Sequence, residues 1–349
     1  MNIAELLALA VKHRASDLHL SAGLPPMLRV HGELRRTQLT ALAPEGLRNM
    51  LHGILDDAQR QRLDEMLEVD FAFEQPGLAR FRINAFMQQR GMAAVFRHIP
   101  PRVPTLAELG APPILWEIAD YPHGLVLVTG PTGSGKSSTL AAMLDHINDS
   151  RNGHIVTIED PIEFVHESRR CLVSQRELGT QTLSFDNALR SALREDPDVI
   201  MVGELRDTAT IRLALSAAET GHLVLGTLHT GSAAKAVDRI VDVFPSGEKE
   251  WVRSLLADSL RAVIAQTLLK RHDGNGRVAA HEVLLSTAAV RNLIRENKAA
   301  QLVSVQQSGQ QQGMQTLDHS LKELLRRHEI GADEARRLAG NPAAFAPWS

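Results

Sequence analysis

Residues 130–137 read Gly130-Pro131-Thr132-Gly133-Ser134-Gly135-Lys136-Ser137, the G-x-x-x-x-G-K-[ST] spacing of a phosphate-binding loop. That loop dictates its surroundings. A buried strand must lead in, a helix must lead out, and glycines must let backbone N–H groups turn toward the phosphates. The flanks comply. GLVLVT over Gly124–Thr129 is an unbroken apolar run, and Ser137–Ile147 has helical spacing. The start of that helix points its positive end at the same place. In this arrangement the Lys136 ammonium reaches the β- and γ-phosphates of ATP, and the Ser137 hydroxyl holds Mg²⁺. The expected nucleotide contacts run from Gly130 through Ser138.

The strand-then-helix rhythm recurs downstream. Ile155–Glu159, Val199–Val202 and Leu223–Thr227 are short unbroken apolar runs, as expected of strands covered on both faces. Helical stretches at Phe185–Arg194 and Thr208–Ala218 alternate with them. The expectation is an α/β domain with a mostly parallel sheet over residues 106–349. From about Ala233 the chain reads as mostly helical. Gln306–Gln312 reads as a loop, and the last ten residues, GNPAAFAPWS, as a loose tail.

Upstream the pattern differs. Residues 3–13 have helical spacing, Asp17–Leu20 alternates, Met27–Val30 looks like a strand, and residues 44–67 read as one or two helices. Phe71, Phe73, Phe81, Ile83, Ala85 and Phe86 follow in alternating segments split by Pro76-Gly77. This predicts a small α+β domain over residues 1–97. His98–Thr105 (HIPPRVPT) carries three prolines and is the expected linker, 98–105.

Composition narrows the function. The 349 residues suffice for two domains with proper cores. The charge sum, 38 − 41 = −3, and the 4% aromatic content speak against a chain that coats or tracks nucleic acid. Cys171 is the single cysteine, which excludes an internal disulfide or a cysteine zinc cluster and fits a reducing cytoplasm. The start, MNIAELLALAVKHRASD, lacks the marks of a signal peptide. No apolar run approaches the ~20 residues needed to span a bilayer, so no direct membrane insertion is expected.

A phosphate loop needs acids. Glu204, after the run VIMVG, fits an acid that holds Mg²⁺, since an acid after a buried run is costly unless it binds something. Glu163, two residues past Pro161, fits a base that orients attacking water. His222 and His229 bracket LVLGTL, and His229 lies at the strand's exit edge, where a γ-phosphate would be sensed.

These blocks together resemble the secretion and type IV pilus ATPase superfamily. Its marks are the phosphate loop, an acidic box (IEDPIEF, 158–164), a Walker B variant (VIMVGELRD, 199–207) and a histidine box (ETGHLVLGTLHT, 219–230). ASDLHLSAGLPPMLRV at 15–30, ARFRINAF at 79–86, SALREDPDV at 191–199 and AVRNLIRE at 289–296 look like its pilus-retraction branch. The resemblance implies a PAS-like domain, then a RecA-like one, in a homohexamer that hydrolyses ATP to drive pilus retraction and twitching. It implies Glu163 as catalytic base, Glu204 as the Walker B acid, and His222 with His229 as the histidine box. Arg82 and Arg97 match arginines that reach a neighbour's γ-phosphate, where a guanidinium neutralises charge in the transferred group. The implied partners are an inner-membrane platform protein and a paralogous retraction ATPase, at the cytoplasmic side of the pilus base. The AVRNLIRE segment carries an apolar stripe of Val290, Leu293 and Ile294, with Arg291, Arg295 and Glu296 expected to be available to a partner.

The sequence departs from the family's pattern at His123, where Arg is common, and at Gly231 and Val290. His123 replaces a permanent charge with a titratable one. Three other readings stand beside the retraction motor: an accessory retraction paralogue, a RecA-type nucleic-acid translocase, and a ring that binds ATP without turning it over.

Overall fold

Described residues in the computed structural model are 2–30, 32–99 and 102–348; Pro100 and Pro101 of the expected linker fall outside them. The chain divides into two compact units, Met1–Arg102 with Pro161–Phe164, and Val103–Asp160 with Val165–Ser349.

In the first unit, alternation along the chain becomes the two faces of a sheet. Helix α1 (Ile3–Lys12) opens with a capping box: the Asn2 side chain accepts the Glu5 N–H while Glu5 reaches back to the Asn2 N–H. Strands β1 (Asp17–Ser21), β2 (Met27–Val30) and β3 (Glu33–Arg36) follow, then helices α2 (Pro44–His52) and α3 (Asp57–Met66). Proline opens α2, where its missing N–H costs nothing, and Asp56 with Gln59 makes a second capping box at α3. Strands β4 (Glu68–Gln75), β5 (Ala79–Gln88) and β6 (Gly91–Ile99) complete an antiparallel sheet in the order β3-β2-β1-β6-β5-β4. Along β5, Phe81, Ile83 and Ala85 are buried while Arg80, Arg82 and Asn84 alternate onto the other face. Leu6, Leu7, Leu47, Leu51, Leu18 and Phe96 join them in one core.

The second unit is built around strands with no polar face. Helix α4 (Ile114–Ala119) precedes β7 (Gly124–Thr129), α5 (Lys136–Ser150), β8 (Gly153–Glu159) and β9 (Cys171–Glu177). Next come α6 (Phe185–Ala192), β10 (Val199–Val202), α7 (Thr208–Glu219), β11 (Leu223–Leu228), α8 (Ala233–Asp242) and α9 (Lys249–Ser259). Strands β12 (Leu260–Lys270) and β13 (Arg277–Leu285) precede helices α10 (Ala288–Arg295), α11 (Leu302–Ser308), α12 (Leu317–Arg326) and α13 (Ala332–Leu338). The sheet order is β13-β12-β7-β11-β10-β8-β9, parallel except where β13 pairs antiparallel with β12. Every residue of β7, β10 and β11 is buried, because helices cover both faces. Ser184, Asp207, Ser232 and Thr287 cap α6, α7, α8 and α10 through their side chains.

Two expectations for the end of the chain are corrected. Beyond Ala233 the chain is mostly helical, as expected, apart from two long strands within residues 260–285. Strand β12 lies beside β7 and is buried on both faces, so it shows no alternation, and its Ala and Leu content mimics a helix. The Gln-rich run is not a loop: Gln306 sits in α11, buried, with its amide 3.3 Å from Glu282. The tail is not loose. Pro342–Trp348 form a short 3-10 helix, and Phe345 is fully buried among Leu321, Leu324 and Ile330.

Candidate active site

The phosphate loop runs from the end of β7 to the first turn of α5, as its spacing requires. Gly130, Gly133 and Gly135 have φ of 148°, 77° and 90°, in the region that favours glycine. At Gly130 a Cβ would lie 2.3 Å from the Gln266 carbonyl oxygen. Pro131, Thr132 and Gly133 are exposed at the loop's tip, and Ser137 and Ser138 are half-buried in the first turn of α5. Lys136 is buried, and its Nζ donates to the Gly130 and Pro131 carbonyls at 2.9 and 3.2 Å. The Ser134 hydroxyl is buried and has no hydrogen-bond partner among the described residues. A desolvated ammonium resting on its own loop, an orphaned hydroxyl beside it and a helix N-terminus together suit an entering phosphate.

Two further groups stand at the ends of the neighbouring strands. In the sheet β7, β11 and β10 are adjacent and parallel, so their C-terminal ends share one edge. Glu204 follows β10, and His229 follows β11. The His229 Nε2 donates to Glu204 at 3.1 Å, and Arg206 makes a 2.7 Å ion pair with the other carboxylate oxygen. Burial alone pushes the Glu204 carboxyl up. The hydrogen bonds from Arg206 and His229, with their charges, outweigh burial and hold it below the usual carboxylate range. Thr129, the last residue of β7, ties this edge together: its hydroxyl lies 2.7 Å from the Thr230 hydroxyl and accepts the Thr230 N–H at 2.9 Å.

The histidine box divides. Six residues of β11 separate His222 from His229, about 20 Å of extended chain. His222 therefore stands at the opposite edge of the sheet, where its Nδ1 lies 3.0 Å from the Ala217 carbonyl at the end of α7. Of these two histidines, His229 is the one at the phosphate loop's edge. His123 occupies that same far edge, 3.2 Å from Arg261.

The remaining residues belong to the first unit. Arg82 and Arg97 are direct cross-strand partners on the face opposite the core. Arg97 donates through Nε to buried Asp17 at 3.0 Å, and Arg29 stands 3.9 Å from the same carboxylate. The Glu163 carboxylate, in the segment Pro161–Phe164, lies 4.0 Å from Arg82. The AVRNLIRE stripe packs as expected, with Val290 and Ile294 buried. Arg295 is exposed and pairs with Asp258 of α9.

Sequence reasoning missed Asp17, Thr129, Arg206 and Gln266. Arg206 and Thr230 sit inside the quoted motifs. Gln266 carried a signal of its own, a polar residue inside the apolar run LRAVIAQTLLK.

The family described as type II/IV secretion system protein matches residues 2–337. The chain is 60% identical to the type IV pilus retraction ATPase PilT of Pseudomonas aeruginosa, over 99% of this chain and all of the relative. It is 63% identical to a twitching motility protein of Neisseria gonorrhoeae, over 90% of this chain and 84% of the relative. Identity to the type IV pilus ATPase PilU of P. aeruginosa is 42%, over 96% of this chain and 88% of the relative. A crystal structure of the pilus retraction motor PilT with bound ADP superposes with a TM-score of 0.90 at 44% identity, covering 99% of this chain and 98% of that one. The chain belongs to the type II/IV secretion system protein family.

Proposed function

We propose that this chain is a P-loop ATPase whose hydrolysis of ATP powers retraction of type IV pili and so twitching motility. One observation carries the chemistry: the phosphate loop, Glu204 and His229 lie at the ends of three adjacent parallel strands, on one sheet edge. The 60% identity to a retraction ATPase, against 42% to PilU, favours the motor over its accessory paralogue.

The residues divide the work. Lys136 exchanges the Gly130 and Pro131 carbonyls for the β- and γ-phosphates. The Ser137 hydroxyl and the Glu204 carboxylate are hard oxygen donors that suit Mg²⁺, which supplies charge neutralisation on the phosphates when bound. His229 orients Glu204 and reports the γ-phosphate to the strand beside it. Glu163 accepts the proton of the attacking water as the new O–P bond forms. The bridging bond to the β-phosphate then breaks, releasing ADP and phosphate. Arg82 and Arg97 serve the γ-phosphate of a neighbouring subunit in a homohexamer. His222 lies away from this edge and plays its part in the histidine box across a subunit boundary. The ring works on the cytoplasmic side of the inner membrane against the pilus platform protein. No described helix is long and apolar enough to cross a membrane.

The test is pilus retraction in cells lacking the chain. Wild type should restore it, and Lys136→Ala, produced to the same level, should not. Retraction restored by Lys136→Ala would overturn the proposal.

A further inference from the structure

Strand β12 reaches the phosphate loop through one buried side chain. Gln266 is 4% exposed. Its Nε2 donates to the Ser134 carbonyl at 2.8 Å, and its Oε1 accepts the Thr139 hydroxyl at 2.7 Å. Ser134 is in the loop and Thr139 in the first turns of α5, so one amide spans the loop-to-helix junction. Its two ends cannot be exchanged: a carbonyl only accepts, and the Thr139 hydroxyl is placed to donate. Gly135 is fitted to the same side chain, since a Cβ there would stand 2.8 Å from Nε2. The backbone of Gln266 is as close to the loop's other end, where it leaves room for no Cβ at Gly130.

We propose that Gln266 is a positioning residue for nucleotide binding, which sets the direction of the Gly135 N–H. The argument is the planarity of the peptide bond. In a trans peptide the carbonyl of one residue and the N–H of the next point opposite ways. Gln266 holds the Ser134 carbonyl toward β12. The Gly135 N–H, on the other side of the same plane, is thereby turned away from β12 and toward the concavity of the loop. In such loops those N–H groups cradle the phosphates. Thr139 completes the device by fixing which end of the amide faces the loop. The glutamine touches no substrate; it acts through the peptide it orients. The proposal rests on the loop taking a nucleotide phosphate.

The experiment is calorimetric titration of the full-length protein with ADP, beside thermal melting of the same samples. Gln266→Met keeps the volume of the side chain and removes both hydrogen bonds. The dissociation constant for ADP should rise about tenfold, and Tm should fall by a few degrees because the Ser134 carbonyl and the Thr139 hydroxyl lose a buried partner. Thr139→Val frees the amide to rotate and should act in the same direction more weakly. The double variant should be no worse than Gln266→Met alone, because both changes break one linkage. Should Gln266→Met fail to fold, Thr139→Val carries the test alone, with a rise of at least twofold expected. An unchanged dissociation constant in the folded variants, with or without a lower Tm, would make Gln266 a packing residue and overturn the proposal. Wild type that binds no ADP would instead overturn the nucleotide reading beneath it.

Discussion

Lys136 and Arg97 carry the same charge and are held in opposite ways. Lys136 is 8% exposed and rests on carbonyl oxygens of its own loop. Arg97 has a side chain 60% exposed on an open sheet face, and it is tethered through Nε to a buried carboxylate. A buried ammonium at the start of a helix, resting on the carbonyls of its own loop, is placed for an anion that enters the loop. Tethering through Nε leaves N–H donors on the outer edge of the guanidinium for a second anion. Such a group suits an anion brought by another molecule. On the function proposed above, the two cations meet the same kind of phosphate from two different chains.

Removing either cation should therefore damage different quantities, and the largest effect belongs to the buried one. Lys136→Ala is expected to weaken ATP binding and reduce turnover below detection in a phosphate-release assay. Turnover within tenfold of wild type would break the assignment of Lys136 to the phosphates. Glu163→Gln comes next. It should leave ATP binding intact and lower kcat by about 10²-fold or more, the usual range for losing a general base. If Glu163→Gln keeps a near-normal kcat while Glu204→Gln loses it, the roles of the two acids are exchanged.

A smaller effect sharpens the arginine side. Asp17→Asn removes the charge that tethers Arg97 but keeps the shape of the site. It should lower kcat by roughly tenfold and leave the ADP dissociation constant unchanged. A rise in the dissociation constant with kcat preserved would place Asp17 in the same chain's nucleotide site instead.

The contrast between the regions also explains what could be read from the sequence. The phosphate loop was legible because all its parts are consecutive, from the strand through the glycines to the helix. Glu204 and His229 were legible one at a time, as polar residues at the ends of apolar runs. Their 3.1 Å contact was not, because it depends on β10 and β11 being neighbours. The alternation of Phe81 and Ile83 gave the first sheet its faces. The same rule fails for β12, which is buried on both sides and has no alternation to show. Gln266 was hidden with it. The tail read as loose because its Gly, Pro and Ala residues show no periodicity, and the burial of Phe345 depends on α12 and β13. His222 seemed one motif with His229 because sequence distance says nothing of the strand that parts them.

The smallest expected effect is on stability, and it tests the second unit's covered sheet. His281 on β13 is buried, and burial pushes its imidazole down to about 4 from the usual 6.5. The folded state thus binds the proton more weakly than the unfolded chain. This contribution is fully present above pH 6.5 and is lost as the pH falls from there toward 4. Between pH 7.5 and 5.5 the loss should be about 1 kcal/mol. His281→Leu should flatten that part of the melting profile. A profile of unchanged slope would show that His281 does not stay neutral in the folded protein.

The most direct test of the two-chain reading mixes two inactive proteins. Arg97→Ala subunits keep Glu163, and Glu163→Gln subunits keep Arg97. If the arginine serves a neighbour's phosphate, mixed assemblies contain boundaries with an intact acid and an intact arginine. ATPase activity should then rise well above the sum of the two proteins measured separately. Activity no greater than that sum, in samples where sedimentation shows that mixed assemblies have formed, would contradict it.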